Sequence, residues 1–313
     1  MHLPANIIKQ TSERVFLTDG GIETTLIFQE GFDLPYFAAF DLLKSRKGKE
    51  ALKRYYEPYA ALAVRSRTGF ILESPTWRAS SDWAEKMGYN REQLAAANRK
   101  AVLLLHEIRE AFSVPSSPFL ISGCIGPRGD GYQVADAMTP QEASNYHSEQ
   151  ISTFADSNVD MISAITMTYP EEAIGIVQAA QAVNLPIVIS FTTETDGRLP
   201  NGSTLKDAIE TVDLATSNGP AYYMINCAHP DHFKQALEEN AAWVGRIQGV
   251  RANASRKSHA ELDESEELDS GNPEEFGKLY QELRAQFPQF NVLGGCCGTD
   301  HRHLGHVSHH CRH

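Results

Sequence analysis

The chain has 313 residues, enough to bury a large core and near the upper end for one domain. Its 42% hydrophobic content is that of a globular protein, and a net charge of −12 argues against nucleic acid or an anionic membrane as partner. No run approaches the roughly 18 apolar residues of a membrane span, and residues 1–15 show no secretory pattern. The expected setting is therefore cytoplasmic, where five cysteines stay reduced as ligands, catalytic groups or core fillers.

In chain order, a strand is predicted at "RVFLTDG" (14–20), a helix at "GKEALKRYYEPYAALAVRSR" (48–67) and a strand at "GFILESPT" (69–76). The helix "NREQLAAANRKAVLLLHEIREAF" (90–112) and the strand "PFLISGCIG" (118–126) follow. "TPQEASNYHSEQISTFADS" (139–157) carries its own start signal: Thr139 as N-cap, Pro140 at the first helical position and Glu142 three residues after the cap. Strands come next at "DMISAITM" (160–167), "PIVISFTT" (186–193), "AYYMINCA" (221–228) and "WVGRIQGVRAN" (243–253). The acidic stretch "HAELDESEELDSGNPEE" (259–275) reads as a solvated surface loop. The helix "NPEEFGKLYQELRAQF" (272–287), opened by Asn272 and Pro273, leads to the strand "FNVLGGCC" (290–297).

Eight apolar strands without strict alternation, separated by helices, predict an α/β fold with a parallel sheet buried on both faces. Eight closes a TIM barrel, taken here as one domain over residues 1–313. The rival, an open doubly wound sheet, is weakened by the absence of Gly-x-Gly-x-x-Gly after the first strand.

In such a barrel, chemistry collects where strands end at their carboxyl side. Cys227 closes "YYMINC" and Cys296 and Cys297 close "NVLGGCC". Neighbouring strand residues point to opposite faces, so the adjacent pair reaches one metal only where the backbone bends, and Gly294, Gly295 and Gly298 supply that freedom. Three thiolates from two strand ends match a zinc site with three protein ligands and one open position. The plainer readings are three cysteines packed as small hydrophobes, or a vicinal disulfide; Cys124 reads as such a buried filler.

"GGCCGTDHRH" and "INC" resemble the zinc-binding motifs of the homocysteine S-methyltransferase family, which includes betaine- and S-methylmethionine-dependent enzymes and the homocysteine module of cobalamin-dependent methionine synthase. "LTDGGIET" resembles its Asp-Gly-Gly motif, "ESPTWRAS" its second-strand segment and "ISGCIGPRGD" its third-strand Gly-Pro loop. The resemblance spans about 17–304. It implies a TIM barrel and one Zn(2+) held by Cys227, Cys296 and Cys297. It also implies methyl transfer from a cationic small-molecule donor (S-methylmethionine, S-adenosylmethionine or betaine) to homocysteine, giving methionine. Oligomeric state is left open.

Asp19, Gly20 and Gly21 match the stretch that in the family contacts the homocysteine amino acid moiety: a carboxylate takes the ammonium, and bare backbone N–H groups approach the carboxylate. Ser74 matches a hydroxyl position that touches the acceptor, and Asn253 is a further polar candidate. Glu73, Trp77 and Tyr169 fall at strand ends and suit a cationic donor. One position departs from the pattern: Ile165 stands where the family has a glutamate that helps hold the acceptor's ammonium. Glu194, one strand over, is the proposed substitute, or the acceptor is a different thiol or selenol. A TIM-barrel metal-dependent hydrolase is a second reading, short of a histidine–carboxylate cluster at the strand ends. A third is a closed structural zinc with Cys124 as fourth ligand. In the tail "HRHLGHVSHHCRH", His306 and His310 have the spacing of a helical metal pair but also that of a plain terminal helix. His301 and His303 are close enough to support the cysteines.

Overall fold

The computed structural model describes residues 10–134, 136–237, 241–265 and 267–311. The leader reading falls partly on residues 1–9, outside the described residues. Among the described residues no helix is long and apolar enough to cross a membrane.

Eight parallel strands close in sequence order: β1 (Phe16–Leu17), β2 (Gly69–Glu73), β3 (Phe119–Ile125), β4 (Met161–Met167), β5 (Ile187–Phe191), β6 (Tyr223–Asn226), β7 (Ile247–Ala252) and β8 (Val292–Gly295). β1 pairs with β8 as well as with β2, completing the ring. Each strand is followed by a helix: α1 (Arg46–Ser66), α2 (Arg91–Phe112), α3 (Pro140–Ala155), α4 (Pro170–Ala182), α5 (Leu205–Thr216), α6 (Pro230–Phe233), α7 (Pro273–Gln286) and α8 (His301–His310). This is a (β/α)8 TIM barrel.

The local signals act as expected. Thr139 and Glu142 form the reciprocal capping box of α3, and Asn272 caps α7 through the backbone N–H groups of Glu274 and Glu275. The acidic stretch differs from its reading. It contains a short helix, His259–Asp263, capped by Ser258, and His259 is buried. Glu261, Glu264 and Glu267 are exposed, but the first residue of the helix is drawn inward by partners that the local sequence does not display.

The strand period sorts side chains into two shells. Leu17, Phe70, Leu72, Ile121, Ile162 and Ile225 face the helices and belong to the large outer core. Phe16, Ile71, Leu120, Met161, Val188, Met224 and Val292 have the opposite parity and form a separate apolar cluster inside the barrel. Two residues further along the same strands the interior turns polar, with Glu73, Ser122, Ser163, Ser190, Asn226 and Arg251 all buried. The barrel thus has an apolar floor and a polar layer beneath its carboxyl-terminal mouth.

Candidate active site

Three thiols meet above that polar layer. Cys227 Sγ lies 2.8 Å from Cys296 Sγ and 3.6 Å from Cys297 Sγ, and among the described residues these three form the one group of side chains able to hold a metal ion. The backbone bends they need have two sources. Cys227 itself sits at φ +56°, in the left-handed region, which costs a non-glycine residue about 1 kcal/mol or more and turns the thiol back over the mouth. Cys296 and Cys297 are the first two residues of a tight turn closed by Thr299 N–H on the Cys296 carbonyl at 3.1 Å. Gly298 is the third, at φ +78°, the value a type II turn requires there. Gly294 and Gly295 keep ordinary strand angles. Their bareness makes room instead, for Thr18 and for Thr299.

The donor set fits a soft cation. Zinc–sulfur bonds of about 2.3 Å put tetrahedral sulfurs roughly 3.8 Å apart, close to the Cys227–Cys297 separation. Hydrogen bonds from Cys227 and Cys297 hold the Cys296 thiol well below its ordinary range, while donation to its neighbours pushes Cys227 up. Thiols this close share protons that a divalent ion would displace on binding.

A second layer covers the sulfurs. The Tyr132 hydroxyl, in the β3–α3 loop, lies 3.3 Å from Cys227 Sγ and 3.8 Å from Cys297 Sγ. Its ring packs 4.0 Å from that of His259. His259 bridges the Cys227 carbonyl at 2.6 Å through Nε2 and Glu194 Oε1 at 3.2 Å through Nδ1. Asp130 fixes this loop by accepting from the N–H groups of Tyr132 and Gln133.

Below the thiols, Arg251 is buried between two carboxylates. It donates to Asp19 at 2.5 Å and lies 3.8 Å from Glu73. Burial opposes the guanidinium's charge, but Asp19 and Glu73 more than offset it. Tyr55 donates its hydroxyl to the other Asp19 oxygen at 3.0 Å. Burial pushes Glu73 up to about 7, and among the described residues its Oε2 has no hydrogen-bond partner.

Residues 16–311 match the family described as homocysteine S-methyltransferase. The chain belongs to the homocysteine S-methyltransferase family. Among its relatives, homocysteine S-methyltransferase 1 of Brassica oleracea var. italica is 22% identical over 305 residues, covering 90% of this chain and 89% of the relative. Homocysteine S-methyltransferase 2 of Zea mays is 24% identical over 301 residues, covering 90% and 85%. The fold is shared with the homocysteine methyltransferase MmuM from Escherichia coli. Its oxidized form superimposes with a TM-score of 0.76 at 18% identity, and its metallated form with 0.74 at 17%; each comparison covers 98% of this chain and 99% of MmuM.

Against this family frame, the structure places the expected site residues as follows. Gly20 and Gly21 press on the last turn, where a Cβ would strike the Thr299 and Cys296 carbonyls at 2.7 and 2.6 Å. The Asp19 carboxylate is taken by Arg251 and Tyr55, and that of Glu194, 36% exposed, by His259. Ser74 spends its hydroxyl on Thr76 and on the Cys124 N–H. Asn253 donates to the Cys227 carbonyl at 3.0 Å and keeps a buried Oδ1 that has no partner among the described residues. Trp77 donates to the Ile165 carbonyl at 3.4 Å and walls the loop at Gly126 and Gly131, and the Tyr169 hydroxyl accepts from Met138 N–H.

Cys124 lies outside the thiol group, which removes the closed four-cysteine alternative among the described residues. His303 serves the start of α8: it bonds to Asp300 and to the Ser270 carbonyl, and stacks edge-on to Phe276. His306 packs on Gly277, and among the described residues neither it nor His310 joins a metal-binding group. Three site residues escaped sequence reading: Tyr132, His259 and Arg251. Arg251 alone left a trace, as the one charged residue in the strand "IQGVRA".

Proposed function

We propose that this protein transfers a methyl group from a cationic donor to the sulfur of homocysteine, with zinc held by Cys227, Cys296 and Cys297. The convergence of three thiols at the mouth carries the reading; the family match and the metallated MmuM structure support it. Zinc, when bound, would supply the charge that keeps a fourth sulfur deprotonated at neutral pH.

The chain's own residues do the rest. Tyr132 packs over Cys227 and Cys297 and is held there by the His259 ring. The Asp19–Arg251–Glu73 group supplies a buried network that braces β1, β2 and β7 under the reacting atoms. In the transfer, the acceptor sulfur's electron pair forms the new bond to the methyl carbon. The donor's carbon–sulfur or carbon–nitrogen bond breaks, its pair stays on the leaving atom, and the acceptor's thiol proton goes to solvent. Neutralising the donor's charge drives the step. Trp77 and Tyr169 are the aromatic groups proposed to face that cation. Five cysteines, all free, suit a cytoplasmic setting.

Ile165 favours a second acceptor, an uncharged thiol or selenol, because the β4 end offers no carboxylate. The hydrolase reading lacks a histidine–carboxylate metal group among the described residues. A donor-by-acceptor matrix with zinc-loaded protein, read by mass spectrometry of the methylated product, tests the proposal. Methionine from homocysteine and one cationic donor is expected; no thiol methylation with any pair refutes it.

A further inference from the structure

One buried charged pair sits outside the barrel mouth, between two helices of the outer ring. Glu172, on α4, has a side chain 1% exposed, and His147, on α3, is fully buried beside it. The helices meet tightly here. At Gly175, one turn on from Glu172, a Cβ would strike the Ala143 side chain and the Pro140 carbonyl at 2.5 Å. His147 Nε2 lies 3.0 Å from Glu172 Oε1 and, facing a carboxylate, is the donor; Nδ1 is buried with no partner among the described residues. The same Oε1 accepts the Arg128 backbone N–H at 2.7 Å. The shorter of its two bonds therefore goes to the irregular β3–α3 loop and not to a helix.

The next residue of that loop is gripped by a charge of the opposite sign. Arg78, itself buried, is stacked between the indoles of Trp77 and Trp83, 3.9 and 4.0 Å from the ring centroids. It donates from Nη1 to the Gly129 carbonyl at 2.9 Å. Asp130 then accepts from the N–H groups of Tyr132 and Gln133. Residues 128, 129 and 130 thus each tie down the path to Tyr132, whose hydroxyl lies 3.3 Å from Cys227 Sγ and 3.8 Å from Cys297 Sγ. Hydrogen bonds to an ionised side chain are about twice as strong as neutral ones. Breaking either buried grip strands a charge away from water, so the loop does not shift without cost.

We propose that Glu172, locked by His147, and Arg78 are positioning residues of the thiol site: they clamp the loop backbone at Arg128 and Gly129 and so hold the Tyr132 hydroxyl as hydrogen-bond donor to the cysteine sulfurs. A sulfur that ligates a metal ion has lone pairs and no proton, so the phenol is the donor in that pair. The bond fixes the direction of the sulfur and draws charge from it. This rests on the reading that Cys227, Cys296 and Cys297 hold a metal ion.

The test uses full-length protein loaded with cobalt(II), whose thiolate charge-transfer absorption reports the sulfur ligands, with affinity measured by chelator competition. Tyr132→Phe removes the hydroxyl alone. It is expected to weaken cobalt binding about 10-fold, as loss of a partner to a metal ligand does, and to move the charge-transfer band. Glu172→Ala is expected to reproduce both changes. Glu172→Gln, which keeps an oxygen for the Arg128 N–H, is expected to restore most of the wild-type affinity and band. The double variant Glu172→Ala/Tyr132→Phe is expected to bind cobalt no more weakly than Tyr132→Phe, because both substitutions remove the same hydrogen bond. Should Glu172→Ala fail to fold, Arg78→Met carries the same expectations at Gly129, alone and combined with Tyr132→Phe. A Glu172→Ala protein with a lowered melting temperature but wild-type affinity and spectrum overturns the proposal, since the pair then only joins two helices. Fully additive losses in the double variant overturn it as well. A wild type that takes up cobalt without thiolate absorption overturns instead the metal reading on which the proposal rests.

Discussion

The floor and the upper layer of the barrel interior are built by the same strands, two residues apart, and they stand on opposite physics. Ile71, Met161, Met224 and Val292 close the floor by packing alone, which is tolerant of the exact residue if the volume is kept. Glu73, Arg251 and Asp19 fill the layer above by charge pairing, which has no such tolerance: each partner removed leaves another buried charge exposed to a dry environment. The floor holds the strand ends at fixed separations, and the layer above spends part of that stability on polarity. The thiols sit on the second kind of foundation, and at Cys227 their placement adds a left-handed backbone to what the floor must sustain.

That contrast can be broken most forcefully at the thiols. Cys227→Ala is expected to empty the metal site and lower methyl transfer by more than about 100-fold, the upper end for losing even an outer partner of a metal ligand, with the fold retained. Metal analysis beside activity checks this, and a fully zinc-loaded, active variant would falsify the ligand assignment. Next comes Arg251→Met. It strands two buried carboxylates and should destabilise by about 3–5 kcal/mol in denaturant titration, and adding Asp19→Asn should recover part of the loss.

In the floor, Met224→Ala should cost about 2–4 kcal/mol through the cavity it leaves. Zinc affinity should stay unchanged; a large fall in affinity would mean that the two layers are not separable. Smaller still is the effect of pH on the upper layer. Glu73 titrates at about 7 in the folded chain against an ordinary 4.5. Between these values the folded state holds a proton the unfolded state has released, so this contribution is present below about pH 4.5 and lost as pH rises through 7. Glu73→Gln should therefore flatten the decline in stability between pH 5 and 8 by about 1–3 kcal/mol, seen as converging melting curves at low pH and diverging ones at high pH. Least affected is Glu194→Gln. Its carboxylate, 36% exposed, bonds to His259 rather than lying free, so a loss under about 1 kcal/mol, or roughly fivefold in activity, is expected. A thousandfold loss specific to homocysteine would instead restore Glu194 as a direct ammonium partner.

All eight strands were legible because a buried parallel strand shows its apolar run locally, and the helix starts at Thr139 and Asn272 because a cap is a contact between near neighbours. The cysteines were legible by their position at strand ends, although glycine's contribution was only half visible. Gly298 bends the chain as expected, while Gly294 and Gly295 work by leaving space for side chains that arrive from β1 and from beyond β8. His259 was misplaced because acidic residues surround it in sequence while its partners, Cys227 and Glu194, lie just beyond β6 and β5.

The sequence alone determined the barrel, its order of elements and the three sulfurs at its mouth, since alternation, caps and chain direction are short-range properties. Only the closed tertiary structure decided who neutralises whom. Arg251 reaches Asp19 across 232 residues because β7 and β1 both flank β8. That pairing takes from Asp19 the charge its motif had offered to a ligand. Charge pairing depends on distance in space and on the exclusion of water, and both are set when the ring closes.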